Sequence, residues 1–379
     1  MDLSDIKERF NWTFQFSSIL ECEELTEAEK IHFTASFENL KKIFGENFLM
    51  ELFNSRHPLV STFFNHAGWT REWISWFSDS LYKLKDQHNF QSLIERLVIP
   101  SKYPEGLSVL ETAAKFSNVN LFVDFDPKIV ANNKEKMPDL YITSKETNEN
   151  FYIEVSTLEQ SQDLINNIAL TSRLTMSAPV KYCGILHRNL SSEEHSTIVN
   201  KIQLSAEQAF KENKLVELQL RGIIEMAFAP IFSSGELEPW AESKGYRIGN
   251  LILPRDNFNP SLRLKRKVEA KQSQLPAGKP NILALKMKDV HSLWFDKSAL
   301  ISAVQEAVNK YDHLFAVIIF DQHWGSLQNE LIIQDMNFFI CKHKGRLIVE
   351  NSFVFFNKFS KVQLTPNLLN DIFSALIHN

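Results

Sequence analysis

"MPDLYITSKETNENFYIEVSTLEQ" (Met137–Gln160) is the stretch on which the fold turns. Its runs Asp139–Thr143 and Asn150–Thr157 are rich in β-branched and aromatic residues, the composition of strands. Asn148–Asn150 supplies a turn between them. Asp139, directly after Pro138, stands at one end of the first strand, and Glu154 stands near the end of the second. Both acids sit among apolar neighbours, where an uncompensated charge is costly. If the strands pair as a hairpin, the two carboxylates come within reach of one ion. Two like charges ~4 Å apart repel by about 4 kcal/mol at an effective dielectric of ~20. A bound Mg²⁺ removes that penalty, since it takes one or two carboxylates together with waters and phosphate oxygens. A metal so held activates water and stabilises a phosphoryl transition state.

Before this hairpin comes a helix, "LSVLETAAKF" (Leu107–Phe116), then a strand, "NVNLFVDF" (Asn118–Phe125). Glu111 lies beside the inward face made by Leu107, Leu110 and Ala114. After the hairpin we expect a helix at Ser161–Leu174 and a strand at Val180–Arg188. The order helix–strand–strand–strand–helix–strand, with Pro138-Asp139, Glu154-Val155-Ser156 and the Glu111 helix, resembles the PD-(D/E)xK nuclease superfamily, the restriction-endonuclease-like fold. The resemblance covers roughly residues 104–188. It implies a Mg²⁺ (or Mn²⁺) ion held by Asp139, Glu154 and the Val155 carbonyl, with Glu111 as a further catalytic acid acting through water or as a base. It also implies hydrolysis of phosphodiester bonds, a nucleic-acid partner (DNA ahead of RNA) and a homodimer.

The departure is Ser156, where the family pattern wants a lysine. A relocated lysine is sought in "RLKRKVEAKQSQLP" (Arg263–Pro276), where Lys271, with Gln272 beside it, is the first candidate. Lys181 is the second. Read as a helix, this segment buries Leu264, Val268 and Leu275, while Arg263, Arg266, Lys267, Lys271 and Gln274 recur every three or four residues on another face. That face is either a basic stripe for a phosphate backbone or an ordinary solvated surface. Two alternatives stay open beside the nuclease: a catalytically inactive nuclease-fold module that binds nucleic acid or a protein partner, and a scaffold whose acids are structural.

Composition narrows the classes further. The 379 residues carry a formal charge of −5, so nucleic-acid contact requires a local patch rather than general basicity. Only 11 residues are Gly, and no phosphate-loop or dinucleotide glycine pattern is present. Cys22, Cys183 and Cys341 are far apart and form no CxxC pair, which speaks for a reducing compartment. The first residues hold no apolar signal core, and no apolar run reaches the ~18 residues of a membrane span. The expectation is a cytoplasmic protein with no membrane contact.

Residues 1–103 read as a helical N-terminal domain. Thr26 and Glu29 fit a capping box, and Trp69, Trp73, Trp76, Phe77, Leu81 and Leu84 form an aromatic stripe expected in the core. Residues 104–379 alternate strands and helices and read as one restriction-endonuclease-like α/β domain, a mixed sheet flanked by helices.

Overall fold

The computed structural model describes residues 9–117, 119–131, 134–158, 170, 179–254, 260–287, 297–324, 330–335, 338–344, 348–362 and 364–377. The helices expected early in the chain are α1 (Trp12–Leu20), α2 (Glu27–Phe44), α3 (Phe48–Asn54), α4 (Leu59–Phe64), α5 (Gly68–Leu84) and α6 (Phe90–Val98). The capping box at Thr26 and Glu29 is present, which satisfies backbone N–H groups that α2 leaves open. Next come α7 (Tyr103–Ser117), β1 (Leu121–Phe125), the small hairpin β2 (Ile129–Ala131) and β3 (Lys134–Lys136), β4 (Leu140–Ser144) and β5 (Asn150–Leu158).

The chain divides into two compact units. One comprises Met1–Leu158, Ser261–Lys288 and Leu293–Asn379, and the other Glu159–Pro260 and Asp289–Ser292. The boundary at 103/104 therefore does not separate units. A single apolar core runs from Phe10 and Trp12 through Phe77 of α5, Leu110 and Phe116 of α7 and Ile153 of β5 to Leu376. The early helices bury their apolar faces on the same core as the sheet. The aromatic stripe of α5 is split: Phe77, Leu81 and Leu84 are buried, but Trp69 is 55% and Trp76 37% exposed.

The smaller unit holds β6 (Val180–Leu186), α8 (Ser192–Glu212), β7 (Val216–Leu220), β8 (Ile224–Pro230), α9 (Leu237–Lys244) and β9 (Leu251–Ile252). Its sheet has the order β7-β8-β6-β9. Ile198, Ile202 and Ala206 of α8 pack with Tyr182, Met226 and Phe228, while Leu237 and Ala241 of α9 pack with Cys183 and Ala227. The strand expected at Val180–Arg188 is thus real but belongs to this separate sheet. The helix expected at Ser161–Leu174 lies outside the described residues, Leu170 excepted.

The larger unit is completed by α10 (Pro260–Lys271, joining it from Ser261), β10 (Asn281–Met287), α11 (Lys297–Asn309), β11 (Ala316–Trp324), β12 (Glu330–Asp335), β13 (Phe338–Lys344), β14 (Ile348–Phe356) and α12 (Pro366–Ile377). Its eight-stranded mixed sheet has the order β1-β4-β5-β10-β11-β14-β13-β12. β1, β4 and β5 form an antiparallel meander; β10 runs parallel to β5 and to β11; β14, β13 and β12 return antiparallel. Parallel neighbours need a crossover, and here the crossover from β5 to β10 carries both the smaller unit and α10. No helix among the described residues is long and apolar enough to cross a membrane.

Candidate active site at the ends of β4 and β5

Alternation along β5 assigns its side chains to two faces. Phe151, Ile153 and Val155 join the core with α7, where Phe116 meets Phe151 edge-on at 5.8 Å. Thr157, on the same face, shares a 2.9 Å hydrogen bond with Ser108 of α7. Glu154 and Ser156 therefore point to the opposite face. That face also carries α10, because Lys271 reaches Glu154 from its C-terminal end.

The backbone edges alternate as well. The Tyr152 N–H donates to Pro280 O ahead of β10, so the edge groups of Ile153 and Val155 face β4. β4 stops at Leu140, paired with Ile153. Pro138 lacks an N–H and cannot extend the ladder. The Asp139 side chain takes over, and its Oδ2 accepts the Val155 N–H at 2.8 Å. In an extended strand a residue's C=O projects to the same edge as its N–H, so the Val155 carbonyl lies on the Asp139 side.

Asp139 and Glu154 are only 4% and 3% exposed. Lys271 Nζ donates to Glu154 Oε1 at 2.9 Å and to Gln274 Oε1 at 3.0 Å. Gln272 instead donates to the Glu269 carbonyl, away from the acids. An ammonium thus stands beside the motif glutamate although Ser156, itself buried, cannot supply one. Arg96 of α6, which the sequence did not single out, donates to Asp139 Oδ1 at 2.5 Å. It also pairs with Asp126, and Glu105 lies 3.8 Å from it.

Electrostatics follow from this packing. Burial pushes the Glu154 carboxyl up to about 8, with the Asp139 charge adding to the rise and Lys271 opposing it. Burial also raises Asp139, against the pull of Arg96 and the Val155 N–H. For Lys271 burial acts downward, but Glu154, Asp139 and Glu105 outweigh it and the amine stays cationic. Glu105 favours the Lys271 cation but disfavours the charged acids: its negative charge raises both Asp139 and Glu154.

Glu111 does not join the cluster. It forms an ion pair with Lys286 of β10. Lys286 is in register with Thr157, so the pair lies on the α7 face of the sheet, opposite Glu154. The α7 acid near the site is Glu105, six residues earlier. Lys181 lies on β6, in the other compact unit. Of the basic stripe, Arg263 and Lys267 are half-buried and Arg266 is exposed, while Lys271 turns to Glu154. Burial lowers the Arg263 pKa, a cost that a fully solvated stripe would not show.

His57 is a packing residue. Its Nδ1 accepts the Leu59 N–H at 3.1 Å, so Nε2 carries the proton donated to Leu97 O at 2.9 Å. This anchors the end of α6 next to Arg96.

The donor set fits a hard divalent cation: two carboxylates and a backbone carbonyl at one strand end. No group of three His, Cys, Asp or Glu side chains able to hold a metal occurs among the described residues. Zinc and calcium cages use three or more such side chains, whereas Mg²⁺ keeps several waters and needs only one or two carboxylates. Charge agrees. Asp126, Asp139, Glu105 and Glu154 face Arg96 and Lys271, leaving two negative charges when all are ionised. Compared with known proteins, the chain gives no significant match to any family model, curated protein or solved structure.

Proposed function

We propose that the chain is a metal-dependent nuclease of the restriction-endonuclease-like kind, hydrolysing phosphodiester bonds with Mg²⁺ or Mn²⁺ held by Asp139, Glu154 and the Val155 carbonyl. The observation that carries this reading is the Lys271 ammonium 2.9 Å from Glu154. It supplies from α10 the positive charge that Ser156 lacks. The order α7-β1-β4-β5-α10-β10, with the smaller unit inserted after β5, also supports the resemblance.

A divalent ion at this position supplies Lewis acidity and a more acidic bound water. The chain's own residues do the rest. Asp139 and Glu154 offer oxygen ligands, and Arg96 and the Val155 N–H hold Asp139 in place. Lys271 orients toward Glu154 and stabilises negative charge that develops on the phosphate and the attacking water. Arg263, Arg266 and Lys267 lie further along the same helix and suit the backbone of a nucleic acid, a contact weakened by salt. DNA is the first substrate to try, and a homodimer is the assembly the resemblance implies.

Lys271→Met, which keeps the aliphatic stem, is the direct test. Metal-dependent cleavage is expected to fall by about a hundredfold or more, the scale of losing one preorganised charge-stabilising group. Equal rates for Lys271→Met and wild type would remove Lys271 from the mechanism. A second reading, a nuclease-derived module that binds without cleaving, draws on Ser156 and on the guanidinium already engaged with Asp139. It predicts no metal-dependent cleavage by the wild-type chain.

A further inference from the structure

Arg96 is placed with unusual constraint for a residue of a short amphipathic helix. Gly106 of α7 lies so close that an added Cβ would stand 2.9 Å from Arg96 Cβ and 3.2 Å from its carbonyl carbon. His57 fixes the next carbonyl along, that of Leu97. The guanidinium then spans two strand ends. One nitrogen meets Asp139 before β4 and another meets Asp126 after β1. Asp126 adopts a left-handed φ of 48°, rare for a residue with a side chain, and its N–H donates to the Asp139 carbonyl at 3.0 Å. The two aspartate side chains are 13% and 5% exposed, and that of Arg96 is 16%. Buried ion pairs contribute little net stability compared with apolar packing. A planar fork with donors at fixed angles suits bridging two carboxylates held at fixed positions.

We propose that the Arg96 guanidinium is a resident second cation: by bridging Asp126 and Asp139 it takes the place of a second divalent ion and limits the site to one exchangeable metal. The proposal rests on the metal-dependent reading above. Two-metal phosphoryl-transfer sites place their ions ~3.5–4 Å apart between shared carboxylates, and here one of the two positive centres is built into the fold.

The test is the stoichiometry of Mn²⁺ binding, read from the electron paramagnetic resonance of free Mn²⁺, without substrate. Wild type is expected to bind one ion per chain, Arg96→Gln two, and Arg96→Gln/Asp126→Asn one again. Two ions on wild type, or one on Arg96→Gln, would overturn the proposal while leaving the metal site standing. No Mn²⁺ on wild type would instead sink the metal-dependent reading itself, and this inference with it. Because Arg96→Gln strips a buried aspartate of its counter-ion, the same proteins are melted with and without Mn²⁺. The variant is expected to gain more in Tm from Mn²⁺ than wild type does. An equal gain, or a variant that stays unfolded at saturating Mn²⁺, counts against the guanidinium standing in for an ion.

Discussion

Glu154 is a carboxylic acid whose surroundings disfavour its charged form, and this has a consequence for pH. Its folded pKa of about 8 exceeds the ordinary carboxylate value of 4.5. Between those values the folded chain binds more protons than the unfolded chain. Stability therefore falls as pH rises through that window, by at most about 1.4 kcal/mol per pH unit for this one group. We expect the metal-free protein to melt progressively lower from about pH 5 to about pH 8, with the slope reduced in Glu154→Gln. Mg²⁺ should recover most at the alkaline end, because its binding displaces the proton. A Tm that climbs over this range would show that Glu154 is ionised without metal. Asp139 and Glu154 were legible in the sequence because acids inside apolar strands demand a reason. Lys271 was legible as part of a helical stripe. Arg96 and Glu105 were not, since each reads locally as an ordinary charge on a helix face. Ser156 and Lys271 make a reciprocal pair of positions. Ser156→Lys combined with Lys271→Ala should cleave faster than Lys271→Ala alone, and failure to do so would mean that the amine works only from α10.

At the scale of elements, the sequence disclosed the segments that become β1, β4, β5 and β6 and the hairpin of β4 with β5, but not the short strands β2, β3 and β9 or the more distant partners of β5 and β6. Val180–Leu186 has the apolar character of a core strand and follows β5 in sequence, yet β5 pairs with Asn281–Met287. Periodicity reports burial, and pairing partners are set by contacts across more than a hundred residues. Glu111 illustrates the same limit on a helix. Its spacing marked the face of α7 turned to the sheet, but not that the strand ends bearing Asp139 lie nearer Glu105. The crossing of α6 and α7 is the element-level feature most open to test. An Ala at 106 would put its Cβ 3.2 Å from the Leu97 backbone nitrogen, where no flexible side chain can give way. We expect Gly106→Ala to cost about 1–3 kcal/mol through overpacking, seen as a lower urea midpoint. A midpoint equal to that of wild type would mean that the helices are not in such close contact.

Across the whole molecule, one aromatic-rich core unites the early helices with the eight-stranded sheet, while residues inserted after β5 build a second core around their own four strands. The change of pattern near Tyr103 marks where strands begin, not where a unit ends. Helices alone give no sign of whether their apolar faces close on one another or on a sheet, so that boundary was not legible. The mixed α/β character was, because it depends only on local periodicity. The account as a whole stands on metal-dependent phosphodiester cleavage. The most direct measurement is an endpoint assay on plasmid, single-stranded DNA and RNA with Mg²⁺, Mn²⁺ or EDTA, comparing wild type with Glu154→Ala. The account predicts cleavage of at least one substrate that requires the metal and disappears in the variant. Cleavage no greater than the variant's on every substrate would contradict it.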